Sequence, residues 1–441
     1  MTAVRKKILH IAGPIILENV LVFSASLITT AMVGRLSAMD ISTQGLSMRL
    51  VNTLMLLFKG LGVGVTVATA HAAGDEGRCQ KALRRTLAVS LLIALALTAL
   101  VFTSPRLFLR ILTGDPAILE ASEWYMRAMG FVIPITCAHH LLVGYFNGHG
   151  QTRLPMISAA AVNAVNILLG SVLIFGKLGV PALGIRGAAC AYLAAQAVGI
   201  VILLIAYRRM YPPAVSAAPD ASLLREVVTV GLPSAAESLL FNAAMILVSR
   251  ALLPYGTDCY AAYHLGIQAE DICYMVGLAF VTTSTTLSAM AVGRRDGELY
   301  RSSFRELLRL GTAVAAASAL ILLLLPVQLM RLLTDKSELI DIGKYYLYAM
   351  VPAQFPQVYN NILNGFARSS GHKRLPMWVT AAGLWCVRVP VAVLTGLVFQ
   401  GNILWIWTGI ALDQFTRMTI LLVFFRTNHV LRRTLDSFSR S

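Results

Sequence analysis

Leu87-Ala-Val-Ser-Leu-Leu-Ile-Ala-Leu-Ala-Leu-Thr-Ala-Leu100 contains no charge, no proline and no glycine. Arg84 and Arg85 precede it and Arg106 follows it. The run is continuous rather than alternating, so it does not read as a strand of a membrane barrel. It is long enough, with its neighbours, to supply the roughly 20 apolar residues of a bilayer-crossing helix. Ala313-Val-Ala-Ala-Ala-Ser-Ala-Leu-Ile-Leu-Leu-Leu-Leu325 reads the same way.

Working outward from these two runs, the same template finds twelve stretches. They lie near 9–33, 46–72, 86–104, 123–146, 155–176, 184–206, 227–252, 261–290, 307–325, 343–366, 376–399 and 402–425. Helices are the expected form, because hydrocarbon offers no water to satisfy a spanning backbone. Composition agrees: of 441 residues 57% are hydrophobic and only 13% charged, with a mean hydropathy of +0.71. A soluble domain carries about 25% charged residues. So little charge cannot cover a water-exposed globule, and so much apolar surface excludes a disordered chain.

The net charge of +16 is a matter of orientation rather than of nucleic acid. With twelve spans, 23 Lys and Arg fall in the segments on the side of the termini and 6 on the other side. Positive loops mark the cytoplasmic face, so both termini are expected in the cytoplasm and the chain in a plasma membrane, the inner one if the source is bacterial. The first apolar stretch does not read as a cleaved signal, since it is long and carries Glu18 and Asn19. The six cysteines are scattered without a Cys-x-x-Cys spacing, which suggests neither a zinc site nor a disulfide framework.

The chain repeats itself. Pro105-Arg-Leu-Phe-Leu-Arg-Ile-Leu-Thr113 matches Pro326-Val-Gln-Leu-Met-Arg-Leu-Leu-Thr334 at an offset of 221. At that offset Tyr125 matches Tyr346, Gly144 matches Gly365, and Arg153-Leu-Pro-Met156 matches Arg374-Leu-Pro-Met377. Gly-Pro-Ile-Ile-Leu-Glu18 matches Leu-Pro-Ser-Ala-Ala-Glu237 at an offset of 219. Six spans per half make this a parallel repeat about an axis along the membrane normal, a plan that transporters use to build a site between halves. The expected lobes are residues 1–207 and 227–441, joined by a cytoplasmic linker over 208–226 that holds Tyr211-Pro-Pro213. Within spans, Gly60, Gly62, Gly64, Pro134, Pro352, Pro356 and Pro390 serve either close packing or hinging.

These motifs resemble the multidrug and toxic compound extrusion (MATE) family. The resemblance rests on Ala12-Gly-Pro14 with Glu18-Asn19 and Met32-Val-Gly-Arg-Leu36. It continues through Gly60-Leu-Gly-Val-Gly64, His71-Ala-Ala-Gly-Asp75, Val165-Asn166-Ile167, Leu173-Ile-Phe-Gly176, Gly184-Ile-Arg-Gly-Ala-Ala189 and Gly231-Leu-Pro233 with Glu237. It covers essentially the whole chain. It implies an all-α integral membrane fold, two pseudo-symmetric six-helix bundles around a cleft. It also implies antiport, exporting organic and often cationic compounds against sodium ions or protons. The sequence departs from the family where many members carry an aspartate in the first helix: that position is Thr29, and the polar fifth-helix position is Gly170.

Nothing points to enzyme catalysis, to a bound cofactor or metal, or to ATP, since no Gly-x-x-x-x-Gly-Lys-Ser/Thr loop is present. His139-His140 lacks a metal-ligand pattern. The informative residues are acids inside apolar helices, because a charge at mid-bilayer costs about 2.5–3.5 kcal/mol on insertion scales. Glu18 and Glu237 stand four residues after Pro14 and Pro233, in equivalent places. Glu270 and Asp271 are the densest acidic feature, either attracting a cation or pairing with Arg250 or another base. Asp413 and Arg417 are spaced for an ion pair on one helix face. Asn19, Asn166, Asn242, Gln268, Asn361 and Asn364 could line a cation or drug path or join helices.

The expected partners are small organic molecules and the lipid bilayer, with no nucleic acid, for a chain acting as a monomer. Three alternatives stay open. A lipid-linked oligosaccharide flippase would need a basic groove, for which Arg49, Lys59, Arg250 and Arg388 are the bases within spans. Another twelve-helix carrier of the major facilitator kind would carry a Gly-x-x-x-Asp-Arg-x-Gly-Arg-Arg loop that this sequence lacks. A non-transporting receptor or scaffold would not need the internal repeat.

Overall fold

A computed structural model of the chain describes residues 3–72, 74–110, 116–212, 221–399 and 401–439. Residues 213–220 of the expected linker, with Pro213, therefore lie outside the described residues. The described chain is helical, without a strand. In the first half come α1 (Ala3–Val33), α2 (Ala38–His71), α3 (Glu76–Thr103), a short α4 (Pro105–Leu109), α5 (Pro116–Gly130), α6 (Val132–Gly148), α7 (Arg153–Phe175) and α8 (Ile185–Met210). The second half has α9 (Ala221–Ala251), α10 (Thr257–Gly293), α11 (Gly297–Leu324), a short α12 (Pro326–Arg331), α13 (Ser337–Met350) and α14 (Gln354–Ser369). It ends with α15 (Leu375–Gly383), α16 (Val389–Val393), α17 (Ile403–Thr427) and α18 (Val430–Ser439).

Among the described residues, 10 helices are long and apolar enough to cross a bilayer, and α5 with α6, bent by 41°, are so as a pair. The span expected near 343–366 is the pair α13 and α14. It breaks at Val351–Ala353, around Pro352, and its second half is polar: Gln354, Gln357, Asn360, Asn361 and Asn364 stand on one helix. That polarity is why it is not counted among the apolar crossings. The bend at Phe131 comes just ahead of Pro134. Leu92, Leu95, Leu168, Leu204, Leu320 and Leu324 are all exposed, the expected surface of helices solvated by lipid tails.

The repeat is structural as well as sequential. Asp75 caps α3 by accepting from the Arg78 amide at 3.1 Å, and Asp296 caps α11 by accepting from the Leu299 amide at 2.8 Å. Pro105 and Pro326 each open a short helix, where a missing amide hydrogen costs nothing. Each pair is separated by 221 residues.

The chain forms two compact units, Leu17–Ala235 and Met1–Ile16 with Ala236–Ser441. In the first, the N-terminal unit, the core gathers Phe58, Leu83, Met126, Tyr145 and Phe146. The glycines of α2 work there as packing residues. A Cβ on Gly62 would lie 2.7 Å from the His140 oxygen, one on Gly60 2.6 Å from the Gly231 oxygen, and one on Gly144 would strike the Gly62 carbonyl. In the second, the C-terminal unit, one cluster centres on Phe280, Leu307, Ile362 and Phe366, and another on Tyr263, Leu347, Met350 and Trp407.

Candidate functional site

The C-terminal unit holds two layers of buried charge. The first is built on Asp413, which is fully buried on α17. Arg417, one turn later, donates from Nε to Oδ1 at 2.7 Å and from Nη2 to Oδ2. Arg388 brings its Nη2 to 2.8 Å from Oδ2. Local sequence explains how Arg388 arrives. Gly383 has no side chain, and a Cβ there would collide with the Asp413 carboxylate and lie 2.6 Å from Arg417 Cγ. Leu384–Arg388 then forms a π-helical turn, whose extra residue rotates the side chains that follow it. Pro390, two residues on, lacks the amide hydrogen that an unbroken ladder would use.

Arg388 is held on all sides. Its Nη1 lies 3.4 Å from Met245 Sδ, its guanidinium carbon is 6.0 Å from the Phe241 ring centre, and its Nε is buried with no partner among the described residues. Two guanidiniums against one carboxylate leave one surplus positive charge.

The second layer centres on Glu270 of α10, also buried. Tyr346 donates its hydroxyl to Oε2 at 2.7 Å; Gln357 and Gln354 donate their amides to Oε1 at 2.8 and 3.2 Å. No base forms an ion pair with Glu270 among the described residues, although the field of Arg388 reaches it. Gln354 and Gln357 fall on one face because they are three residues apart. Their amide oxygens are buried with no partner among the described residues. Tyr346 is fixed by edge-on rings, Tyr263 at 5.5 Å and Trp407 at 6.0 Å between centroids.

Asp271, half-buried beside Glu270, makes no hydrogen bond or ion pair among the described residues. Asn361 donates to the Tyr274 hydroxyl at 2.8 Å and to the Gly277 oxygen at 3.1 Å. Tyr274 in turn lies within reach of the charges of Arg417, Glu270 and Asp271. Glu270, Asp271, Asn361 and Asp413 thus belong to one neighbourhood. The charges Glu270, Asp271 and Asp413 against Arg388 and Arg417 leave one net negative.

The other sequence-predicted residues stand apart. Glu237 accepts from Arg368 Nη2 at 2.7 Å and from the Thr380 hydroxyl at 3.0 Å, so its charge is matched. Asn364 is buried with its amide oxygen unpartnered among the described residues, and Gln268 is half-buried on α10. Asn242 is exposed and donates to the Ser238 oxygen of its own helix at 2.9 Å. In the N-terminal unit, Glu18 and Asn19 are half-buried on α1, with Lys59 the base whose field reaches Glu18. Asn166 donates to Thr29 Oγ1 at 3.0 Å, a neutral pair. A Cβ at Gly170 would meet Met32 Cε at 3.2 Å.

His139 shares a hydrogen bond of 3.0 Å with Ser158, whose hydroxyl donates to the Gly199 oxygen. No group of three or more His, Cys, Asp or Glu that could hold a metal ion occurs among the described residues. Around Glu270 the oxygen donors for a hard monovalent cation are a mixed set of carboxylate, amide and phenol.

Sequence reasoning gave no site role to Tyr346, Gln354, Gln357 or Arg368, although Tyr346 stood out as the repeat partner of Tyr125. The only available signal was polar residues recurring at helical spacing in a stretch expected to be apolar.

The family model described as MatE matches residues 14–172 and 233–394, one match to each half of the repeat. A Thermotoga maritima protein named as a probable multidrug resistance protein, NorM, is 29% identical over 436 residues, covering 96% of this chain and 92% of that protein. The Bacillus subtilis transporter YisQ, uncharacterised, is 20% identical over 92% of this chain and 90% of its own. Among solved structures, an outward-facing multidrug resistance MATE transporter aligns with a TM-score of 0.88 at 18% identity, covering 98% of this chain and 97% of that one. A transporter of the same wider superfamily from Pyrococcus furiosus, described as having a binding pocket of reverse polarity that suggests a different function, aligns at 0.87 with 18% identity and the same coverage.

Proposed function

The chain belongs to the MATE family of membrane transporters, and from that premise we propose that it is a secondary antiporter coupled through the C-terminal unit. It exports organic, often cationic compounds in exchange for sodium ions or protons, by alternating access of its two halves. Its relatives' names support the substrate class. The uneven loop charge supports a plasma-membrane protein with both termini in the cytoplasm; that it acts as a monomer is part of the proposal.

One observation carries the assignment of the coupling acid. Asp413 and Glu237 each hold an arginine, whereas Glu270 is buried against neutral donors only. An acid whose charge is already matched by a fixed base has nothing to offer a passing cation. Glu270 has, and with Asp271 beside it the neighbourhood lacks one positive charge, the charge of one sodium ion or proton.

The glutamines supply a way to exchange states. Each now points its NH2 at the carboxylate. Rotating a terminal amide swaps donor for acceptor. Both unpartnered oxygens would then face Glu270, together as ligands for a sodium ion, or one of them as the acceptor for the single O–H of a protonated carboxyl. Arg388, pinned by Asp413, stays as a fixed positive charge that weakens cation binding enough for release.

The flippase reading is not favoured, because Arg388, the one buried base of the four, is engaged by Asp413. The test is dye export from proteoliposomes with an imposed sodium or proton gradient, over a panel of cationic dyes. Export is expected under at least one gradient; no flux of any dye under either would refute the antiporter reading.

A further inference from the structure

The C-terminal unit carries a groove that the transport site does not use. It runs along the start of α11 and has a volume of about 410 Å³, lined by Arg301, Arg305, Arg309, Phe304, Leu308 and Tyr359 among others. A second hollow of about 460 Å³ adjoins it, sharing Arg301 and Arg305 and lined also by Leu435 of α18.

Spacing makes the groove two-sided. Arg301, Arg305 and Arg309 recur every four residues, so they form one row about 12 Å long, and all three are exposed. Phe304 and Leu308 sit one position before Arg305 and Arg309, on the adjacent and half-buried face. The Phe304 ring is fixed edge-on to Phe366 at 4.9 Å, and Tyr359 is fixed by a 2.9 Å hydrogen bond to Thr312. The floor is therefore rigid and apolar while the rim is cationic.

Acids do not cancel that rim. Glu306 pairs with Arg309 at 2.9 Å. Arg301 and Arg305 form no ion pair among the described residues, although Glu298 lines the second hollow. Farther along the same helix Leu320, Leu323 and Leu324 are exposed, so one helix presents arginines at its start and hydrocarbon-compatible side chains at its end.

We propose that this groove binds an anionic phospholipid, its phosphate on Arg301 and Arg305 and its first acyl methylenes over Phe304 and Leu308. A basic pocket on a membrane helix suits an anionic headgroup, guanidinium forks match phosphate oxygens in pairs, and only an amphiphile uses the rim and the floor together. A free phosphate would leave Phe304, Leu308 and Tyr359 without a partner.

The test uses the purified, delipidated full chain and follows its melting temperature as phosphatidylglycerol, phosphatidylcholine or sodium phosphate is added. Phosphatidylglycerol is expected to raise the melting temperature saturably, the other two not. The R301Q/R305Q variant should melt like the unaltered protein without lipid, because both side chains are exposed. It should need at least about tenfold more phosphatidylglycerol for half the shift. R301K/R305K, which keeps the charge but not the fork, should recover part of it. An equal shift from phosphatidylcholine, a shift from phosphate alone, or an unchanged titration in R301Q/R305Q would overturn the proposal.

Discussion

The two units share a plan and differ in what they bury. At the shared offset of 221 residues, Glu270 corresponds to Arg49, Gln357 to Thr136 and Arg388 to Ile167. Arg49 is exposed. Thr136 returns its hydroxyl to the Val132 oxygen of its own helix at 2.9 Å. Where the C-terminal unit has a charged network, the N-terminal unit has the neutral pair Thr29 and Asn166. Helix caps, short helix starts and close glycine contacts recur in both. Packing and function are therefore separable here: the duplicated skeleton carries the Glu270 and Asp413 network in one copy and, at the corresponding positions, no such network in the other.

The largest effect should come from breaking the charged layer that has no counterpart. D413A leaves Arg388 and Arg417 buried without their carboxylate, a loss of about 3–5 kcal/mol. It should show as a steep drop in melting temperature of the purified protein. Replacing Asp413 and Arg388 together by Leu and Met should recover much of that, because paired removal leaves less uncompensated charge. If D413A melts unchanged, the layer contributes nothing to the fold.

Next comes the shared packing. G144V would drive a branched side chain into the Gly62 backbone of the N-terminal unit, costing about 1–3 kcal/mol or preventing accumulation. A normally folding G144V would deny that glycine contacts hold that unit together. E237Q should cost about 1–3 kcal/mol by leaving the buried Arg368 without its carboxylate. It should leave the choice of driving ion unaltered in vesicle transport, and a switch of driving ion would move the coupling role toward Glu237. The smallest effect belongs to N166A, which removes one interhelical hydrogen bond worth about 0.6 kcal/mol. Its dye export should stay within about twofold of the unaltered protein.

Much of this difference was legible in sequence. The repeat, the scarcity of charge and the i, i+4 spacing of Asp413 and Arg417 are one-dimensional signals, and the helices and the ion pair follow from them. The partners that decide the acids' roles are not local. Arg388 reaches Asp413 across 25 residues and Arg368 reaches Glu237 across 131. No periodicity encodes such meetings, so Glu237 and Glu270 read alike until their neighbours are known. The π-helical turn at Leu384–Arg388 was equally hidden, although Gly383 and Pro390 flank it. Polar residues in the stretch near 343–366 read as a span with some asparagines, whereas in the fold they make a broken helix whose glutamines hold Glu270.

On this reading coupling resides at Glu270 of the C-terminal unit and not at the Thr29–Asn166 pair of the N-terminal one. It is tested most directly by gradient-driven dye export from proteoliposomes, comparing E270Q with the double variant T29V/N166A at matched protein incorporation. E270Q should lose gradient-dependent export while T29V/N166A keeps it. Gradient-dependent export retained by E270Q, or lost only in T29V/N166A, would contradict this reading.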